Sequence, residues 1–208
     1  MGSRQITKEQ DVNPPKFFIF SSKLASSTFQ AHLTDSKIDH HKLIKGDYIG
    51  INFPVIFKQR YGSKLLDLLD TGCAGLFLIS DKLKTVLEEN HLTGWKTFPV
   101  EINDKNENPI LGYYGLSITG ICESISFDQS KIVEKQFVST GPICKYYKGL
   151  SISQWDGTDF FSPKKKYQTF ITERTVILLK KNKITNLQIE NIAEYEIDLR
   201  HINKNQHL

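Results

Sequence analysis

The amino-acid sequence predicts an α+β fold, a mixed α/β arrangement in which a largely antiparallel sheet system carries two repeat-related helices. Three observations support that expectation. Residues 79–102, ISDKLKTVLEENHLTGWKTFPVEI, match residues 171–194, ITERTVILLKKNKITNLQIENIAE, without a gap at a lag of 92 residues (171 − 79). Each stretch reads as a capped helix followed by a strand. Elsewhere the apolar and β-branched residues fall in short runs of strand length, bounded by Gly, Pro, Asn and Asp.

Within the matched stretches, Ser80 or Thr172 supplies a hydroxyl that accepts from the free amides of a new helix, and Asp81 or Glu173 places negative charge at its positive end. Leu83, Val86 and Leu87 recur at the three-and-four spacing of an apolar stripe. Its counterpart is read from Leu178 and Leu179, with Val176 less regular. Asn90 and Asn182 suit helix ends, and Leu92 or Ile184 then leads through a Thr-Gly or Thr-Asn turn into a strand. In the first of these strands Trp95, Thr97 and Pro99 interleave with Lys96, Phe98 and Val100, which predicts burial on both faces. The same buried pattern occurring twice predicts an internal duplication (79–102 and 171–194) within a single compact domain, residues 16–200.

In chain order, residues 1–15 are polar and end in Pro-Pro, the composition of a flexible arm. FFIF at 17–20 is the first strand. Residues 21–45 show little periodicity and read as loop with a short helical piece. DYIGINFPVIF at 47–57 is rich in strand formers, but Pro54 has no amide to donate, so an edge strand or a strand end is expected there. Leu65, Leu66, Leu68 and Leu69, closed by Gly72, predict a short helix over 62–70. The polar turn DKNENP joins the first repeat strand to ILGYYGLSITG, 110–120, in an expected hairpin. Residues 121–150 give only irregular strands, broken by Asp128, Gly141 and Pro142, and residues 201–208 form a polar tail.

At 208 residues, with 39% hydrophobic and 24% charged side chains, the chain can bury a substantial core. No run approaches the roughly 18 apolar residues of a membrane span. The N-terminal segment lacks the apolar centre of a signal peptide, so a cytoplasmic location without membrane partners is expected. Cys73, Cys122 and Cys144 have no CxxC spacing and read as reduced thiols rather than a disulfide framework or a zinc site.

No catalytic set, cofactor site or metal site emerges. Trp155, Asp156, Gly157 and Asp159 form the most distinctive string. Two aspartates three apart could serve an uncharacterised hydrolase or transferase, but Asp-Gly is a routine turn, and the structural reading of this string, as of Trp95, is favoured. The six histidines show no two-ligand helix spacing, and the rings of adjacent His40 and His41 are expected to point in different directions. Lys164, Lys165 and Lys166 with Lys180, Lys181 and Lys183 would form a cationic patch for nucleic acid or another anion. No reading helix or aromatic interleaving accompanies them, so nucleic acid is not the favoured partner.

The strings LFLISDKLKTVLEENHLTGWKTFPVEI, GYYGLSITG and WDGTDFF, followed by a second capped helix ending in KITNLQIE, resemble bacterial polymorphic-toxin immunity proteins. The resemblance is to the broad group that includes numbered immunity families eleven and forty-three, and it spans about residues 53–192. It implies a cytosolic antidote that binds and occludes a cognate toxin domain without catalysis of its own. Some relatives bear two CxxC motifs, from which this chain departs. With a net charge of +4 it also departs from the acidic character of many nuclease inhibitors.

The two matched helices differ most in charge. Asp81, Lys82, Lys84, Glu88 and Glu89 sum to −1, whereas Glu173, Arg174, Lys180, Lys181 and Lys183 sum to +3. Glu88 and Glu89 take the places of Lys180 and Lys181. The outward positions Glu88, Glu89, Lys180, Lys181 and Lys183 are therefore the candidate partner-binding residues.

Overall fold

The computed structural model describes residues 15–199. The arm expected over 1–15, apart from Pro15, and the tail over 201–208 lie outside the described residues. Strands β1 (Phe17–Ser22) and β2 (Gln30–Leu33) precede helix α1 (His40–Lys45). Next come β3 (Val55–Tyr61), β4 (Leu68–Asp70) and β5 (Phe77–Ser80), which runs straight into α2 (Asp81–Glu89). β6 (Trp95–Phe98), β7 (Val100–Asn103) and β8 (Tyr113–Ile118) follow. Five short strands then lead into the second unit: β9 (Gly120–Cys122), β10 (Ser124–Ser126), β11 (Lys131–Lys135), β12 (Cys144–Lys148) and β13 (Ser151–Ser153). That unit consists of β14 (Phe160–Pro163), β15 (Thr169–Thr172), α3 (Glu173–Lys181) and β16 (Leu187–Asn191), and β17 (Glu196–Asp198) comes last.

The fold is predominantly β, not the α+β arrangement the sequence predicts: 41% of the described residues are strand and 14% helix. The predicted helix over 62–70 is the clearest case. Leu65 and Leu66 precede β4, and adjacent Leu68 and Leu69 lie in it, fully buried on opposite faces, Leu68 in the core beneath α2 and α3 and Leu69 in the core beneath α1. A strand buried on both sides shows no alternation, so a run of leucines mimics a helix. Within 21–45 the structure forms β2 and α1. Asp39 caps α1 through its carboxylate, which accepts from the amide of His41, and Gly46 ends the helix at φ 71.

The largest sheet has the order β6-β8-β5-β4-β2-β3-β7. Its two edge strands are consecutive in the chain, separated by Pro99 alone, so the sheet nearly closes into a barrel. Pro99 has no amide to offer a ladder, but its carbonyl accepts from Val55 N at 3.1 Å, where β3 and β7 begin to pair. Phe29, Phe57, Leu69, Leu76, Leu78 and Phe98 fill the interior with Leu43 and Ile44 of α1. The expected hairpin is made by β6 and β8, with Trp95 opposite Ile118. Between them β7 departs to pair with β3. The turn after β7 is held by Asp104, whose carboxylate accepts from the amides of Asn106 and Asn108.

The second sheet has the order β16-β1-β15-β14-β9, and part of it repeats the first sheet register for register. β4-β5-α2-β6 corresponds at the 92-residue lag to β14-β15-α3-β16. Leu68 pairs with Ile79 as Phe160 pairs with Ile171. In each unit a strand from elsewhere in the chain lies antiparallel between the two that flank the helix, β8 in the first and β1 in the second. Leu116 sits opposite both Phe77 and Thr97, as Phe20 sits opposite both Thr169 and Ile189. The two units bury Leu83, Val86, Leu87, Val176, Leu179, Ile79 and Ile171 in one shared core. The stripe of α3 differs from the expected one. Thr175, Val176 and Leu179 are buried, Leu178 is only partly so, and Thr175 stands where the first unit has Leu83.

Candidate functional site

The two helices start alike because their caps are alike. Ser80 (φ −70, ψ 160) accepts from Leu83 N at 3.2 Å, and Thr172 (φ −75, ψ 161) accepts from Thr175 N at 3.4 Å. Each capping hydroxyl in turn donates to an aspartate 13 residues before it: Ser80 Oγ to Asp67 Oδ1 at 2.8 Å, and Thr172 Oγ1 to Asp159 Oδ1 at 3.1 Å. The second oxygen of each carboxylate crosses to the other unit. Asp67 Oδ2 accepts from Thr185 N at 2.8 Å and Thr185 Oγ1 at 2.7 Å. Asp159 Oδ2 accepts from Thr93 N at 3.0 Å and Thr93 Oγ1 at 3.2 Å. Asp67 and Asp159 stand 92 residues apart, like the rest of the repeat, and form two reciprocal clasps.

A cation completes each clasp. Lys82 Nζ lies 3.5 Å from Asp67 Oδ2 and donates to Lys183 O at 2.9 Å. Arg174 Nη1 lies 3.3 Å from Asp159 Oδ2, and its Nη2 donates to Asn90 O at 2.6 Å. The start of each helix is thereby tied to the end of the other. Burial tends to push the Asp67 carboxyl up, but the donors from Thr185 and Ser80, with Lys82 nearby, outweigh it and hold the group below the ordinary carboxylate value of 3.8.

The clasps settle how Asp159 is used: both its oxygens hold the fold together, and it is 7% exposed. Asp156 is also committed. Its Oδ2 accepts from Ile121 N at 2.7 Å, and its Oδ1 from Thr158 N and Oγ1 at 3.1 and 2.6 Å, a turn that Gly157 completes at φ 87. Trp155 donates to Thr158 O at 2.9 Å and meets the Phe17 ring edge-on at 5.0 Å, whereas Trp95 donates to Leu92 O at 2.7 Å. Sequence reasoning missed Asp67. Extending the self-match upstream pairs Asp67-Leu68 with Asp159-Phe160 and would have found it.

The candidate partner-binding residues sit at opposite ends of this helix pair. Glu88, Glu89, Lys180, Lys181 and Lys183 are all exposed. Glu88 is bridged to Lys84 one turn back at 2.6 Å. Lys180 lines a groove of about 740 Å³ with Lys23, Lys64, Leu66, Ile184 and Leu187. The two lysine clusters are not brought into one groove. Lys165 and Lys166 border a different one of about 570 Å³ with Phe20, Phe77 and Tyr167, and Lys164 is ion-paired with Glu123. A third exposed surface is the β11–β12 hairpin, whose Ile132, Phe137, Val138 and Ile143 are 57–71% exposed. At the start of α1 the rings of His40 and His41 lie 4.0 Å apart rather than diverging. With Asp39 they bring three ligand atoms within 4.8 Å, although Asp39 is already occupied as the cap of that helix.

The three cysteines are free thiols in different surroundings. Cys122 is fully buried, and burial pushes its thiol up to about 11, so it holds little thiolate at neutral pH. Cys73 and Cys144 are partly exposed. A disulfide reagent at pH 8 should therefore titrate two thiols per chain in the folded protein and three in denaturant. A third fast thiol in the native protein would contradict the packing around Cys122.

No match to the chain is found among curated proteins. A family model, that of the immunity protein family Imm11, matches residues 6–194. The match begins well upstream of the stretch that carries the sequence resemblance. The structure gives a reason, since β1 is the strand that completes the second unit between β15 and β16. A match over most of the chain's length makes this protein a member of the Imm11 immunity protein family.

Proposed function

We propose that the protein is a cytoplasmic antidote that binds a cognate toxin domain and blocks it by occlusion, without catalysis of its own. Family membership supplies the partner class, a toxin protein. The observation that supports a binding role is the pair of oppositely charged, exposed helix ends built on one frame: Glu88 and Glu89 on α2, and Lys180 and Lys181 at the equivalent places on α3, with Lys183 just after it. None of these three lysines is in an ion pair among the described residues, so their field is available to a partner. Such a field orients an encounter and speeds it more than it deepens affinity. Both distinctive aspartates are engaged in holding turns and clasps, which favours binding over a hydrolase or transferase reading.

The experiment requires a candidate toxin, taken as the C-terminal domain of a secreted protein encoded beside this gene, where an antidote's target is expected. Co-expression should rescue growth, and stopped-flow association should be fast at low salt. Lys180→Glu with Lys181→Glu, or Glu88→Lys with Glu89→Lys, should slow association by about tenfold at low ionic strength and much less at high salt, with unchanged thermal unfolding. If neither reversal alters the low-salt rate, the toxin is bound through another surface. If the neighbouring domain is neither bound nor neutralised, the antidote reading fails.

A further inference from the structure

The two units agree in register, yet differ in what covers their outer edge. The edge of β6 is covered by the chain itself. Lys96 Nζ donates to Gly46 O at 2.5 Å and lies 4.2 Å over the Tyr48 ring, and Tyr48 Oη reaches Thr97 O at 3.5 Å. Among the described residues the matching edge of β16 has no such cover, and the strand order of its sheet ends there.

Which backbone groups that edge presents follows from the ladder. Asn186 O accepts from Lys23 N at 3.2 Å, Gln188 O lies 3.5 Å from Ser21 Oγ, and Ile192 N donates to Phe17 O at 3.2 Å, so residues 186, 188 and 192 face β1. Antiparallel pairing alternates. The N–H and C=O groups of Leu187 and Ile189 therefore point away from β1 to the open side. Beside them runs the groove of about 740 Å³, where Lys23, Lys64 and Lys180 are exposed and no acidic side chain lines the walls. None of the three lysines forms an ion pair among the described residues. Leu66, Ile184 and Leu187 supply an apolar floor.

We infer that the β16 edge and this groove take up an extended acidic segment of the toxin domain, added to the sheet as a further strand. The inference rests on the antidote reading. Free backbone groups supply strand addition, apolar walls take alternate side chains, and three unpaired ammonium groups select carboxylates between them. In the first unit, the chain's own segment from Gly46 to Tyr48 fills the place the partner takes in the second.

The test is amide hydrogen exchange and calorimetry on the full chain, alone and with the toxin domain encoded beside it. Leu187 and Ile189 amides should exchange fast in the free protein and become protected in the complex. Ile189→Pro, which removes an outward N–H, and Lys23→Glu with Lys64→Glu should each weaken binding at least about tenfold. The lysine pair is on the surface and keeps the test decisive if the proline variant fails to fold. Tight binding with no protection at these amides and unchanged affinity in the lysine variant overturns the inference and leaves the antidote reading intact. Protection already present in the free protein also overturns it, because the edge is then occupied by this chain's own segment or a second copy. If the wild type does not bind the toxin domain, the antidote reading is what fails. The groove is then probed with a heptapeptide of alternating Val and Asp: amide shifts at Leu187 and Ile189 that vanish in Lys64→Glu support the edge, and no shifts overturn it.

Discussion

Replacing Asp67 with Ala is expected to lower the unfolding free energy by about 3 kcal/mol at pH 7, because it leaves the Thr185 amide and the Ser80 and Thr185 hydroxyls without their charged acceptor. Asp159→Ala should cost a similar amount by stranding Thr93 and Thr172. The two clasps share no partner, so the double variant should lose about 6 kcal/mol, within the range of a whole domain's stability. Urea titrations of the single and double variants measure this directly. Asp67→Asn should be milder, since the hydroxyls can turn to meet an amide. The pH dependence has a definite sign. The folded-state carboxyl of Asp67 is held below the ordinary value of 3.8, so its contribution is fully present above that value and is lost as pH falls through the folded value. Wild type and Asp67→Ala should therefore differ fully at pH 7, and the gap should narrow as pH falls below about 4. A gap that persists undiminished at pH 2 would show that the carboxylate is not what the clasp depends on.

Gly115→Ala is the second large effect expected, a loss of about 3 kcal/mol from one added methyl group. A Cβ at Gly115 would overlap the ring of Phe98, its partner across β6 and β8. Phe98 is 1% exposed inside the near-closed barrel, with Tyr48 and Phe53 against it at 5.9 and 6.1 Å, so the ring has no free space to enter. The corresponding pair in the second unit is Ile19 opposite Glu190, where the bulk lies on the other strand. Shrinking the ring should therefore compensate: Gly115→Ala with Phe98→Leu should recover most of the loss in thermal unfolding. If the double variant is less stable than Gly115→Ala alone, the clash is not the cause.

The helices were the most legible part of the fold, because a helix declares itself locally. The caps Ser80 and Thr172, the acidic first turns and the stripe led by Leu83 and Leu87 all act within a few residues of each other. The strands were far less legible. β4 is three residues long and buried on both faces, and β9, β10 and β13 are equally short. Their stability comes from partners far along the chain, so no local period marks them, and a predominantly β fold reads as a mixed one.

The same division holds for the site. The residue types of the candidate surface, Glu88 and Glu89 against Lys180, Lys181 and Lys183, are readable because one frame occurs twice with different exteriors. Asp67 and Asp159 keep the 92-residue lag, but nothing local gives either of them a task. Each becomes a clasp only when Thr185 and Thr93 arrive from the other unit, 118 and 66 residues away. Capping, periodicity and charge act over one or two turns, so the two capped helices, their spacing of 92 residues and the contrast in their charges are written in the residues themselves. The near closure of the sheet at Pro99, the completion of the second unit by β1, and a sheet edge covered in one unit but open in the other among the described residues emerge with the folded chain alone. Those outcomes depend on long-range pairing, whose partners no local pattern names.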